Sequence, residues 1–145
     1  MAGGGWTLVA RVLGTSSAHI TSAPVGTLTG PAVGGVAKLS DTQINALLSG
    51  RTMRVSNDAG VVYGYFKGTF SGSGSTNMSA SNTETGTYTG TCAWTDHAGF
   101  NTYCGGWTSA LTVGLAWGHR TNPATYHGIA VSTAGWNQNG NVWVR

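Results

Sequence analysis

Charge is what this sequence has least of. Lys, Arg, Asp and Glu together make up 8% of its 145 residues, against about 25% in an ordinary soluble domain. Long helices laced with ion pairs are thereby excluded, and so are charge-driven disordered tails. The acids number only four, Asp41, Asp58, Glu84 and Asp96. The seven basic residues, Arg11, Lys38, Arg51, Arg54, Lys67, Arg120 and Arg145, form no run and no stripe along the chain. Nucleic-acid binding draws its affinity from several neutralised phosphates, so it is not expected here despite a net charge of +3. No apolar stretch reaches the roughly 20 residues of a membrane helix, which argues against membrane insertion. Met1 leads straight into Ala2-Gly3-Gly4-Gly5-Trp6, without the charged opening of a signal peptide.

What is abundant is glycine and hydroxyl. Gly occurs 24 times, Thr 21 and Ser 13, a surface kept soluble by backbone and hydroxyl groups rather than by charge. With 40% hydrophobic residues, residues 1–145 read as one domain able to bury a core. The two cysteines, Cys92 and Cys104, read as a local disulfide and hence an oxidising compartment; two reduced core thiols are the alternative. A disulfide without an export signal points to a domain taken from a longer secreted protein, or to a virion part released by lysis. Localisation is accordingly expected to be extracellular or on a virion surface.

Along the chain, WTLVARV over 6–12 has the composition of a strand buried on nearly both faces. Residues 13–37 are loop-rich. One helix is predicted at about 40–49. Ser40 is its N-cap and Gln43 completes a capping box; Leu39 can staple onto Ile44. Ile44, Leu47 and Leu48 share a face, and Gly50 follows the end. RTMRVSN and VVYGYFKGTF then read as two strands joined by a tight turn at Asn57-Asp58-Ala59-Gly60. Residues 71–86 read as an exposed polar loop. TYTGTCAW, TVGLAWGH, HGIAVST and NVWVR read as short strands between Gly- and Asn-rich turns. The fold class is α+β and β-rich, an antiparallel sheet with one short helix and long loops in the C-terminal half.

Catalysis fails first on supply. Asp41 is spent at a helix N-terminus and Asp58 in a turn. Glu84 and Asp96 remain, either facing each other across a sugar, or as calcium ligands, or as solvated loop acids. No G-x-S-x-G elbow anchors a serine triad, and the GSGSTN run at 72–77 lacks the lysine of a phosphate loop. The chain is therefore expected not to be an enzyme. Asp96 and His97, inside the Cys92–Cys104 loop, could orient a metal or a sugar hydroxyl; hydrogen bonding within the loop is the plainer alternative. Trp94, Phe100, Tyr103, Trp107, Trp117, Tyr126 and Trp136 crowd the last third. Aromatic faces pack on the C–H faces of sugar rings. Strand positions such as Trp117 and Trp143 are expected in the core, and Phe100, Tyr103, Trp107, Tyr126 and Trp136 in loops.

These residues carry a resemblance to the fibrinogen-related domain family, which includes ficolins and, more distantly, intelectins. Gly3-Gly4-Gly5-Trp6-Thr7-Leu8 looks like the family's opening strand. Met53-Arg54-Val55, Gly60 and Tyr65-Phe66-Lys67 are similar to its central hairpin, and the step from Cys92 to Cys104 resembles its C-terminal disulfide loop. Val142-Trp143-Val144-Arg145 looks like its closing strand. The resemblance implies a shortened fibrinogen-like domain, lacking the family's N-terminal portion, with a calcium site beside a glycan or acetyl-group pocket. The family's acidic calcium loop is replaced here by Ser81-Asn82-Thr83-Glu84-Thr85, while Thr95-Asp96-His97 is similar to an intelectin Thr-Glu-His stretch.

The sequence thus predicts a non-enzymatic recognition or adhesion module that binds surface glycans. Its site is expected in the loops of residues 82–107 and 119–137. The glycan-binding residues are expected to be Asp96, His97, Phe100, Asn101, Tyr103, Trp107, Tyr126, His127 and Trp136. Calcium is the one cofactor expected, on Asn82, Glu84, Asp96 and His97. A structural virion component, such as a tail-fibre or capsid-appendage tip acting in assembly or host attachment, is the alternative. Either reading fits a homo-oligomer or a part of a larger assembly.

Overall fold

A computed structural model describes residues 5–29, 34–70, 78–92, 115–116, 128–131 and 135–145. Most of the expected glycan-binding residues, Asp96, His97, Phe100, Asn101, Tyr103, Trp107, Tyr126 and His127, lie outside them, as does Cys104. The described strands form two antiparallel sheets, confirming the β-rich α+β class. The strands, in chain order, are β1 (Thr7–Val12), β2 (Ala37–Lys38), β3 (Met53–Ser56), β4 (Val62–Gly68), β5 (Met78–Ser81), β6 (Thr89–Cys92), β7 (Leu115–Ala116), β8 (Ile129–Val131), β9 (Gly135–Gln138) and β10 (Gly140–Val144). Seven of them lie in the order β2-β1-β10-β3-β4-β5-β6, and a smaller sheet runs β7-β8-β9. Among the described residues, no helix is long and apolar enough to cross a membrane.

Helix α1 (Asp41–Leu48) forms where its local signals require it. Ser40 Oγ accepts from the Gln43 backbone N–H at 3.2 Å, and the Ser40 N–H donates to Gln43 Oε1 at 3.0 Å. Two of the orphan donors of the first turn are satisfied reciprocally. Gly50, at φ +66°, takes the left-handed conformation that ends the helix. Ile44 and Leu48 are buried, and Leu39 and Leu47 pack at their margin. Asn45 exchanges two hydrogen bonds of 2.8 Å with the backbone of Phe70, fastening the helix to the chain beyond β4.

One face of the large sheet is the core. Val144, Met53, Phe66 and Ala80 lie in successive register across β10, β3, β4 and β5 and are all buried. Val9, Val12, Val55, Phe70, Met78 and Val142 complete it with the helix. The second half of β1 is buried on both faces, as its composition predicts, including Arg11, whose Nε donates to the Gly35 carbonyl at 2.7 Å. Lys38 is also buried; its ammonium donates to Asp41 Oδ1 at 2.7 Å and to the Leu39 carbonyl at 3.0 Å, joining β2 to the start of α1. Asn57 to Gly60 make the expected turn between β3 and β4, with Gly60 at φ +82°.

Three expectations are corrected. Residues 78–81 are not part of an exposed polar loop. They form β5 on the edge of β4, with Met78 and Ala80 buried. A four-residue strand made of Ser, Ala and one Met has too little apolar alternation to signal itself, and only pairing with β4 defines it. Trp143 is not in the core: Val142 and Val144 point inward on either side of it, and Trp143 is half-buried on the opposite face. Trp136, expected in a loop, belongs to β9, which pairs with β8.

Candidate functional site

The face of the large sheet away from the core gathers aromatics and cations. It follows from period-two alternation, which sends every second side chain outward. Cross-strand register lines up Trp143 on β10, Arg54 on β3, Tyr65 on β4 and Ser81 on β5. Two residues further along, Arg145 and Lys67 share the parity of Trp143 and Tyr65. Trp6, just before β1, reaches the same group, its ring centroid 6.2 Å from that of Tyr65 at an interplanar angle of 48°. The basic residues that form no stripe in the sequence are here brought together by register.

The geometry is specific. The Arg54 guanidinium carbon lies 4.5 Å from the centroid of Trp6 and 5.2 Å from that of Trp143. Trp143 is held in place by its indole N–H, which donates to Ser56 Oγ at 2.9 Å. Arg145 stands 5.9 Å from the Trp6 centroid and donates from Nη1 to Glu84 Oε1 at 2.9 Å. Both partners of that pair are about a third exposed, at 38% and 34%, so it contributes at most about 1 kcal/mol. Tyr88 donates from its hydroxyl to the Glu84 carbonyl at 2.8 Å, and the Lys67 ammonium lies 4.3 Å from the Tyr88 ring centroid. Burial pushes the Arg54 guanidinium below its ordinary value, against the opposing pull of Tyr65 and Glu84. Burial likewise pushes the Tyr88 phenol up, although a hydrogen bond with Thr52 works the other way.

Among the described acids, each has a partner within the fold. Asp41 meets Lys38, Asp58 accepts from Asn141 Nδ2 at 2.9 Å, and Glu84 meets Arg145. Of the expected calcium ligands, Glu84 is thus drawn to Arg145 and Asn82 is exposed just beyond β5. Asp96 and His97 lie outside the described residues, as do Phe100, Asn101, Tyr103, Trp107, Tyr126 and His127. Cys92 ends β6, and its expected partner Cys104 lies outside as well. Among the described residues, no three His, Cys, Asp or Glu groups are close enough to hold a metal together. His19 is fully buried, its Nε2 3.0 Å from the Gly128 carbonyl. There Gly128, at φ +62°, packs against the backbone of Gly14 and Gln138 too closely for a side chain, so His19 belongs to a tight crossing of segments. A cavity of about 460 Å³ at the end of α1 is lined by Asn45, Leu48, Ser49, Arg51, Lys67 and Thr69 among others. Among the described residues its lining has two cations and no acid.

The outer face escaped sequence reasoning because its members are far apart in the chain. The signal was nonetheless present in VWVR and MRV: apolar residues alternate with Trp143, Arg145 and Arg54, the pattern of a strand with one wet face. In comparisons with known proteins, no family model, no curated protein and no solved structure matches this chain.

Proposed function

We propose that this chain is a non-enzymatic recognition module that binds surface glycans, outside the cell or on a virion, and that its fold is a shortened fibrinogen-related domain. The observation that carries the reading is the outer sheet face, where Trp6, Tyr65 and Trp143 lie beside Arg54, Arg145 and Lys67 on a rigid antiparallel frame. Rings that offer apolar area, with nitrogen donors between them, suit a ligand that alternates C–H faces and hydroxyls. The aromatic-rich segment between β6 and β8 adds Phe100, Tyr103, Trp107 and Tyr126 to the reading. The motifs that resemble the family's opening and closing strands lie on neighbouring strands, β1 against β10, and those likened to its central hairpin lie on β3 and β4.

Calcium enters this reading through Asp96 and His97, with Asn82 and Glu84 as further oxygen donors. Glu84 would have to leave Arg145 to serve. A glycan array run with and without chelator tests the proposal. Binding is expected, with chelator abolishing it if calcium is the bridge, and His97→Ala should weaken it by about tenfold, near 1.4 kcal/mol. The competing reading is assembly of a virion appendage, in which the aromatic face is covered by a partner. Titration calorimetry showing no heat with any glycan, alongside stable oligomers by light scattering, would decide for assembly.

A further inference from the structure

Arg54 has a setting that packing does not explain. Its guanidinium lies between the indoles of Trp6 and Trp143. Among the described residues it has no ion pair and no hydrogen bond, and its Nε is buried without an acceptor. The two buried cations are treated differently: Arg11 donates to Gly35 and Lys38 to Asp41. The acid whose field reaches Arg54, Glu84, is turned to Arg145 instead. A planar cation within cation–π distance of two rings, with its terminal N–H groups uncommitted, is a fork held ready for an in-plane acceptor. Contact with two rings restricts its rotamers, so less is lost when that acceptor arrives.

We infer that the Arg54 fork receives the carboxylate of an acidic sugar, a uronate-type residue whose ring lies beside Trp143 and Tyr65. This rests on the glycan-binding reading above and names its substrate class. Carboxylate geometry matches a guanidinium edge bidentately. The charge of the face agrees, since among the described residues Arg54, Arg145 and Lys67 stand against Glu84 alone. Trp143 and Tyr65 flank Arg54 in direct register on either side, within reach of the ring that bears the carboxylate. A nucleic-acid backbone fits less well: Arg145 is already paired, and one free fork does not neutralise successive phosphates.

The test is a titration of the full chain with oligogalacturonate and with its carboxyl-reduced counterpart, at low and high salt. The acidic oligosaccharide is expected to bind about tenfold tighter or more, an advantage that salt diminishes. Arg54→Lys, which keeps the charge and loses the fork, should lose about tenfold on the acidic ligand and so shrink its advantage over the reduced one. Equal binding of the two ligands would overturn the inference while the glycan reading stands. Binding of neither, by a chain whose melting is intact, would overturn the inference, and the glycan array then decides the wider reading. The comparison on the unmodified chain decides alone if Arg54→Lys does not fold.

Discussion

Arg54 is held in the sheet at little or no gain in stability. Its Nε is buried without an acceptor, which costs about 1–3 kcal/mol, while the two indoles near it return about 0.5–2 kcal/mol each in cation–π attraction. The two terms nearly cancel. Arg54→Met, which keeps the packing volume between Trp6 and Trp143, is therefore expected to shift the urea-unfolding free energy by less than about 1 kcal/mol. A loss well beyond that would make the guanidinium a structural strut rather than a presented group. Tyr88 makes a second residue-scale prediction. Burial raises its phenol above the ordinary value of about 10, so the fold prefers the neutral form. Its contribution is complete below that ordinary value and is lost as pH climbs through the raised one. The urea midpoint should accordingly fall in strong alkali more steeply than in Tyr88→Phe, and parallel curves for the two proteins would refute the assignment.

Helix α1 is the element whose energetics are easiest to read. Ser40→Ala removes an acceptor from the Gln43 N–H and should cost about 1 kcal/mol. Ile44→Ala empties a fully buried position against the sheet and should cost about 2–5 kcal/mol. Thermal or urea unfolding of the two variants checks both, and an Ile44→Ala protein melting with the parent would mean the helix packs elsewhere. This helix was fully legible in the sequence because its cap, its staple and its Gly50 stop are all local signals. The β3–β4 hairpin was legible for the same reason, through Asn57-Asp58-Ala59-Gly60. Strand β5 was not, since its identity as a strand comes from β4 beside it and not from Met78-Ser79-Ala80-Ser81. The candidate site was legible only in fragments. Arg54 and Trp143 each stood in a quoted motif, but their adjacency is a property of register between β3 and β10. Pairing of distant segments leaves no trace in composition or spacing, and a half-buried tryptophan flanked by valines reads as core until its neighbours are known.

For the molecule as a whole, the covalent expectation joins β6 to the segment that follows it. A bond between Cys92 and Cys104 would contribute about 3 kcal/mol by closing its loop in the unfolded chain. Intact-mass analysis after alkylation without reductant should show no adduct on either cysteine; two adducts would make them thiols. The order of the large sheet has a further consequence, for how the protein is made. Strand β10 lies between β1 and β3, and Thr7 finds its partner in Val144. While the chain is being synthesised, β1 with β2 and the β3-to-β6 meander can each assemble, but they share no ladder until residues 140–144 have emerged. Until then two half-sheets stand apart, each presenting an open edge to whatever strand arrives first. Joining them is a late step of high sequence separation, the kind that sets millisecond-to-second folding times. A ribosome that stalls short of Gly140 releases two sticky edges in place of one closed centre.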